Sequence, residues 1–140
     1  MTQSERDLLI KDLCSRLPYG VKIQISIWDY NDKMTTEEDA TLYSVNMDGY
    51  CETVEYDAEI SVEEITPYLF PLTSMTEEQK VEFDKMAELD IEYTITQIKN
   101  DAPNWTSGLN RFNWLLKNHF DVYGLIPMSL ANDATGLNIY

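Results

Sequence analysis

The chain is 140 residues long, 44% hydrophobic, and carries 25 acids against 10 bases for a net charge of -15. That length and composition fit one globular domain with its own core and exclude a disordered tract. The charge excludes direct nucleic-acid binding and attachment to anionic membrane, and makes a basic protein the natural partner.

Taken in chain order, the first element is a helix. Ser4 with Asp7 fits a capping box, and Leu8, Leu9, Leu13 and Leu17 recur at helical spacing, which assigns Glu5, Asp12 and Arg16 to water. Pro18 and Gly20 stop the helix. Val21 to Ile27 then alternates apolar with polar residues and predicts a strand. Asp29 to Asp39 reads as a polar loop. Thr41 to Met47 alternates again, with Tyr43, Val45 and Met47 on one side, and Asp48-Gly49 is a hairpin signal. From Tyr50 to Val62, Val54, Tyr56, Ala58, Ile60 and Val62 share one face, while Glu55, Asp57, Glu59 and Glu63 share the other. A run of that length is expected to break near Asp57-Ala58 into two strands.

The prolines of Pro67-Tyr-Leu-Phe-Pro71 mark an extended connector that does not continue the sheet. Beyond it, Thr76 with Gln79, or Ser74 with Glu77, would cap a helix reaching about Leu89. Residues 91–98 fit strand or helix, and Lys99 to Gly108 is a loop. Leu109 to Phe120 is the clearest helix, with Trp105, Leu109, Phe112, Leu116 and Phe120 as its core stripe. The expected fold class is α+β: an N-terminal helix, a small antiparallel sheet or partly open barrel, and a helical C-terminal half. The expected organisation is a single domain over 1–140, with a sheet-rich part of about 1–66, a helical part of about 74–140 and the Pro-rich connector 67–71.

Three blocks carry a resemblance. They are Asp12-Leu-Cys-Ser-Arg-Leu-Pro-Tyr-Gly-Val21, Ile65-Thr-Pro-Tyr-Leu-Phe-Pro-Leu-Thr-Ser-Met-Thr-Glu-Glu-Gln79 and Phe112-Asn-Trp-Leu-Leu-Lys-Asn-His-Phe-Asp-Val-Tyr-Gly-Leu-Ile-Pro-Met-Ser-Leu-Ala131. In sequence and order they resemble a set of small proteins of gut Bacteroidales found with phage or mobile-element genes. The resemblance implies a bacterial or phage origin and carries no activity, substrate or catalytic residue.

The charge is unevenly spread. Residues 34–79 hold 12 carboxylates and no Lys, Arg or His, so this window supplies -12 of the net -15. Within it, Glu55, Asp57 and Glu59 would stand in a row about 7 Å apart on a strand. Such a row is a solvated face that discourages strand pairing, or a docking surface for a basic partner. Trp114 is a further interaction candidate, because it lies about 200° around its helix from Phe112. The alternative is that the apolar C-terminal tail covers it.

His119 is the single histidine and sits beside Asp121. It reads as a helix C-terminal cap that complements the dipole, since no strained nucleophile turn exists to serve it as a catalytic base. With one His and two distant cysteines, no metal site is expected, and no Gly-rich loop calls for a cofactor. Cys14 and Cys51 are too few for a disulfide framework, and the polar Met1–Asp7 segment holds no apolar signal. Together with the lack of a membrane-length apolar run, this makes the cytoplasm the expected compartment. The expected function is a non-enzymatic acidic interaction protein of mobile-element or phage origin. Its rivals are a nucleic-acid-mimicking decoy that binds a basic host protein, and a hydrolase using His119.

Overall fold

A computed structural model describes residues 1–86 and 109–140. Helix α1 (Gln3–Arg16) starts earlier than the Ser4–Asp7 pair suggests. Its cap is Thr2, whose Oγ1 accepts from Glu5 N at 3.2 Å while Glu5 Oε2 accepts from Thr2 N at 2.6 Å. Two of the four orphan donors at this helix end are thereby satisfied. Leu9 and Leu13 are fully buried, as the apolar spacing requires. So are Asp12 and Arg16, which the same spacing assigns to water.

Six strands follow: β1 (Lys22–Asp29), β2 (Met34–Val45), β3 (Tyr50–Thr53), β4 (Ile60–Ser61), β5 (Ile65–Leu69) and β6 (Asn132–Asp133). They form one curled sheet in the order β4-β3-β2-β1-β5-β6, a half-barrel with helical elements completing an α+β fold. All pairs are antiparallel except β5 with β6, so the sheet is mixed. The segment expected to be a polar loop, from Asp29 to Asp39, is mostly strand: β1 and β2 pair rung by rung from Lys22↔Thr41 to Asp29↔Met34. Cross-strand hydrogen bonds hold it despite its polarity, as between Gln24 Nε2 and Glu37 Oε2 at 3.0 Å.

The concave face carries Val21 just before β1, Ile23 and Ile25 of β1, Ala40 and Leu42 of β2, and Cys51 of β3, closed over by Leu9 and Leu13 of α1. A bulge on β2 at Tyr43, between the rungs Leu42↔Thr53 and Ser44↔Glu52, switches the inward parity. Tyr43, expected beside Val45, is therefore 69% exposed, and Met47, 94% exposed, lies beyond the end of β2 in the turn. The Asp48-Gly49 turn forms as expected, with Gly49 at φ +81° and Asn46 Oδ1 accepting from the N–H groups of Asp48 and Tyr50. The long Tyr50–Val62 run does break, over residues 54–59, which contain Asp57-Ala58.

The connector reading of Pro67 is corrected by the sheet. Pro67 lies in β5 opposite Ile23, in a central strand. The Val21 carbonyl accepts from Leu42 N, so the odd residues of β1 turn their polar groups toward β2. Pro67 is then in a non-hydrogen-bonded pair, and its missing N–H faces the side where β6 has not yet begun, since β6 pairs only with Tyr68 and Leu69. Proline removes no rung at this position.

Thr76 and Gln79 make the reciprocal capping bonds of helix α2, described over residues 77–86, at 2.9 and 3.2 Å. The stretch 91–98, the 99–108 loop and Trp105 lie outside the described residues. Helix α3 (Leu109–Lys117) ends in a Schellman motif. His119 N donates to the Leu116 carbonyl at 3.0 Å and Phe120 N to the Leu115 carbonyl at 2.9 Å. His119 occupies the left-handed position, at φ +63°, where glycine is usual.

Candidate functional site

The corner between α1 and the end of α3 gathers the buried charged side chains of the described residues, Asp12, Arg16 and Asp121. Arg16 is bidentate to Asp12, one turn earlier, with Nε to Oδ2 at 2.7 Å and Nη2 to Oδ1 at 2.8 Å. Nη2 also donates to the Phe120 carbonyl at 2.7 Å. The α1 helix thus grips the backbone just past the Schellman turn. Burial raises the Asp12 pKa above the usual carboxylate range, against the pull of Arg16. Asp121 is buried beside it and accepts from Leu125 N at 2.8 Å and Ile126 N at 2.9 Å, which fixes the loop after α3. Helical spacing missed this cluster. The i, i+4 pairing of opposite charges was the available signal, and it reads equally well as a surface ion pair.

His119 belongs to the same corner. Its ring lies against Tyr140 at 3.6 Å between centroids and 9° between planes. The Tyr140 hydroxyl accepts from Lys22 N at 3.0 Å and donates to the Tyr68 carbonyl at 2.7 Å. It stands between β1 and β5 where the next direct Lys22-to-Tyr68 bond would form. The backbone of His119 closes the helix, and the imidazole takes no part in the cap. Burial first, then the Arg16 cation, push its pKa down to about 4. Nδ1 has no hydrogen-bond partner among the described residues.

A pH dependence follows. The unfolded chain protonates His119 near its ordinary value, while the folded ring stays neutral down to about 4. The stability from this group is complete above the unfolded pKa and is lost as pH falls toward the folded one. Discounted for the partly exposed ring, the loss is about 2 kcal/mol between pH 7 and pH 4. His119→Asn, which tolerates the left-handed backbone, should flatten that part of the stability curve in denaturant unfolding at the two pH values. An unchanged slope would assign the loss to another group.

All twelve carboxylates of residues 34–79 are exposed. Among the described residues, only Glu63 and Glu77 meet a base within 4.0 Å, Arg6 at 3.8 Å and Lys80 at 2.9 Å. Glu55, Asp57 and Glu59 are exposed as expected, but they lie in the non-strand break and do not form a strand row. Glu55 is engaged: its carboxylate accepts from Thr41 N at 2.7 Å and from Thr41 Oγ1 at 2.8 Å, and these bonds hold its pKa below the usual range. Glu55→Gln should therefore cost about 0.5 to 1 kcal/mol. Asp57→Asn and Glu59→Gln should be neutral or slightly stabilising at low salt. Equal effects at all three positions in denaturant unfolding would contradict this division.

Trp114 is 5% exposed, which removes it from the contact candidates. The rings packed on it, Phe83 and Phe120, both lie outside the C-terminal tail. Trp114 stacks on Phe120 at 5.8 Å and 17°, and Phe83 of α2 leans on it at 5.7 Å and 52°. Cys51 is buried, with its thiol pushed up to about 12 by burial, and Cys14 on α1 is exposed. Among the described residues, no group of three or more His, Cys, Asp and Glu side chains gathers as a metal site would require. No described helix is long and apolar enough to cross a membrane.

The remaining feature is a groove of about 240 Å³ at the mouth of the half-barrel. Ile25, Ile27 and Trp28 form one wall, Tyr56, Ala58 and Ile60 the other, and Glu64 lies at its lip. Glu38 pairs with Ile25 across the strands, so it shares the concave face, and its Oε2 accepts from the Tyr56 hydroxyl at 2.7 Å. Hydrophobic alternation located β1 but not this groove, because Tyr56 and Ala58 reach it from the break. Compared with known families, curated proteins and solved structures, the chain finds no match.

Proposed function

We propose that this chain is a non-enzymatic docking protein whose acidic surface over residues 34–79 receives a basic partner protein. The supporting observation is the set of twelve exposed carboxylates, ten of which meet no base within 4.0 Å among the described residues. Uncompensated like charges repel one another in the free protein, and a cationic partner relieves that repulsion while gaining a steered approach. The three blocks that resemble small Bacteroidales proteins add a bacterial or phage setting and a cytoplasmic location to this reading. Docking is favoured over nucleic-acid mimicry because the Glu55–Asp57–Glu59 row is interrupted: it is off the strand, and Glu55 is tied to Thr41.

The test compares capture from a bacterial lysate by the wild type and by a variant with Glu37→Gln, Glu38→Gln, Asp57→Asn and Glu59→Gln. The expected result is a basic protein that is released by raising salt and is not retained by the neutralised variant. Capture indifferent to both salt and neutralisation would overturn the reading.

A further inference from the structure

The core stripe of β1 outruns its cover. Val21, Ile23 and Ile25 are buried, and Ile27, next on the same face, is 37% exposed. It projects into the groove at the half-barrel mouth, opposite Tyr56 and Ala58. The strand edge is also open there. β1 pairs with β2 along its whole length but with β5 only from Ile23 to Ile25. Even-numbered residues of β1 face the β5 side, so the N–H and C=O of Trp28 point outward beyond the end of that ladder. Among the described residues no strand pairs with them. Glu64 lines this apolar strip and Glu38, bonded to the Tyr56 hydroxyl, borders it, and both are exposed.

We propose that the groove binds an extended segment of a basic partner in which aliphatic side chains alternate with Lys or Arg. This inference rests on the docking reading above and names its contact site. Successive side chains of an extended segment point to opposite faces. One set would enter the apolar strip between Ile27 and Ala58, and the other would reach the carboxylates at the lip. Hydrogen bonds to Trp28 would set the direction of the segment, as in strand addition to a sheet edge. A second copy of this chain is a poor occupant, because its own charge of -15 would bring carboxylates against carboxylates.

The probe is a synthetic peptide of alternating Val and Lys, about nine residues long, titrated calorimetrically into the full chain. A Ser/Lys peptide of equal length and charge is the comparison. The Val/Lys peptide should bind about tenfold more tightly, since only it buries aliphatic surface. Ala58→Arg, at an exposed position, should erase that preference by filling and charging the groove. Ile27→Ser should weaken Val/Lys binding severalfold while leaving Ser/Lys binding unchanged, which keeps the test intact if the arginine variant fails to fold. Equal affinities for the two peptides in the wild type would overturn the groove and leave acidic docking standing. Failure of both cationic peptides to bind would overturn acidic docking itself. A wild-type dimer in sedimentation that Ala58→Arg dissociates would assign the groove to a second copy and overturn the proposal.

Discussion

Arg16→Met should lower the unfolding free energy by about 3 to 5 kcal/mol at neutral pH, the range for stranding one charge of a buried pair. The variant leaves the Asp12 carboxylate buried without its two guanidinium bonds, and leaves the Phe120 carbonyl without its donor. The double replacement Asp12→Leu with Arg16→Met should recover much of the loss, because no charge then remains to be desolvated. Burial already raises the Asp12 pKa, and removing Arg16 removes the force that opposes it. For an acid with a raised folded pKa, stability is present at low pH and is lost as pH rises through that value. The deficit of Arg16→Met should therefore shrink on going from pH 7 to pH 4. Denaturant unfolding at both pH values measures it, and a deficit under about 1 kcal/mol at pH 7 would mean the pair contributes no more than a surface contact.

Trp114→Ala should cost about 3 to 5 kcal/mol, as expected for a large core aromatic. The indole is 5% exposed and holds together pieces far apart in the chain, Phe83 of α2 and Phe120 beyond α3. Trp114→Phe keeps a ring in the stack and should cost about half as much. A Trp114→Ala change within about 0.5 kcal/mol of wild type would place the residue at the surface, against the observed packing.

The helices, the β1 strand and the Asp48-Gly49 turn were legible because each depends on local chemistry: apolar period, caps and a residue suited to positive φ. What was not legible depends on partners distant in sequence. Asp12 and Arg16 look solvent-bound on a helical wheel, and only the Phe120 carbonyl, 104 residues away, accounts for the third bond of Arg16. The polar stretch before Ala40 reads as loop, yet β1 supplies it with a complete ladder. The bulge at Tyr43 turned an apparently regular alternation half a period out of phase. Pro67 reads as a strand breaker until the hydrogen-bond parity of the neighbouring strand is known. Of the candidate site, the exposure of Glu55, Asp57 and Glu59 was legible and their common row was not, because the row requires a strand that ends at Thr53. The burial of Trp114 agrees with one of the two alternatives its helical position offers, while the rings of Phe83 and Phe120 that stack on it are not legible from that position.

The Tyr140 hydroxyl has a kinetic consequence. Its two bonds span 118 and 72 residues, and β6 joins β5 across a similar separation. The hairpins β1–β2 and β2–β3 close loops of a few residues and can form early, whereas these contacts require far longer loop closures. Assembly should therefore proceed from the N-terminal meander, with the seam between β1 and β5 completed last. Pulse-labelled hydrogen exchange during refolding should show the amides of Ile23 and Ile25 protected well before that of Lys22, although all three lie on one strand.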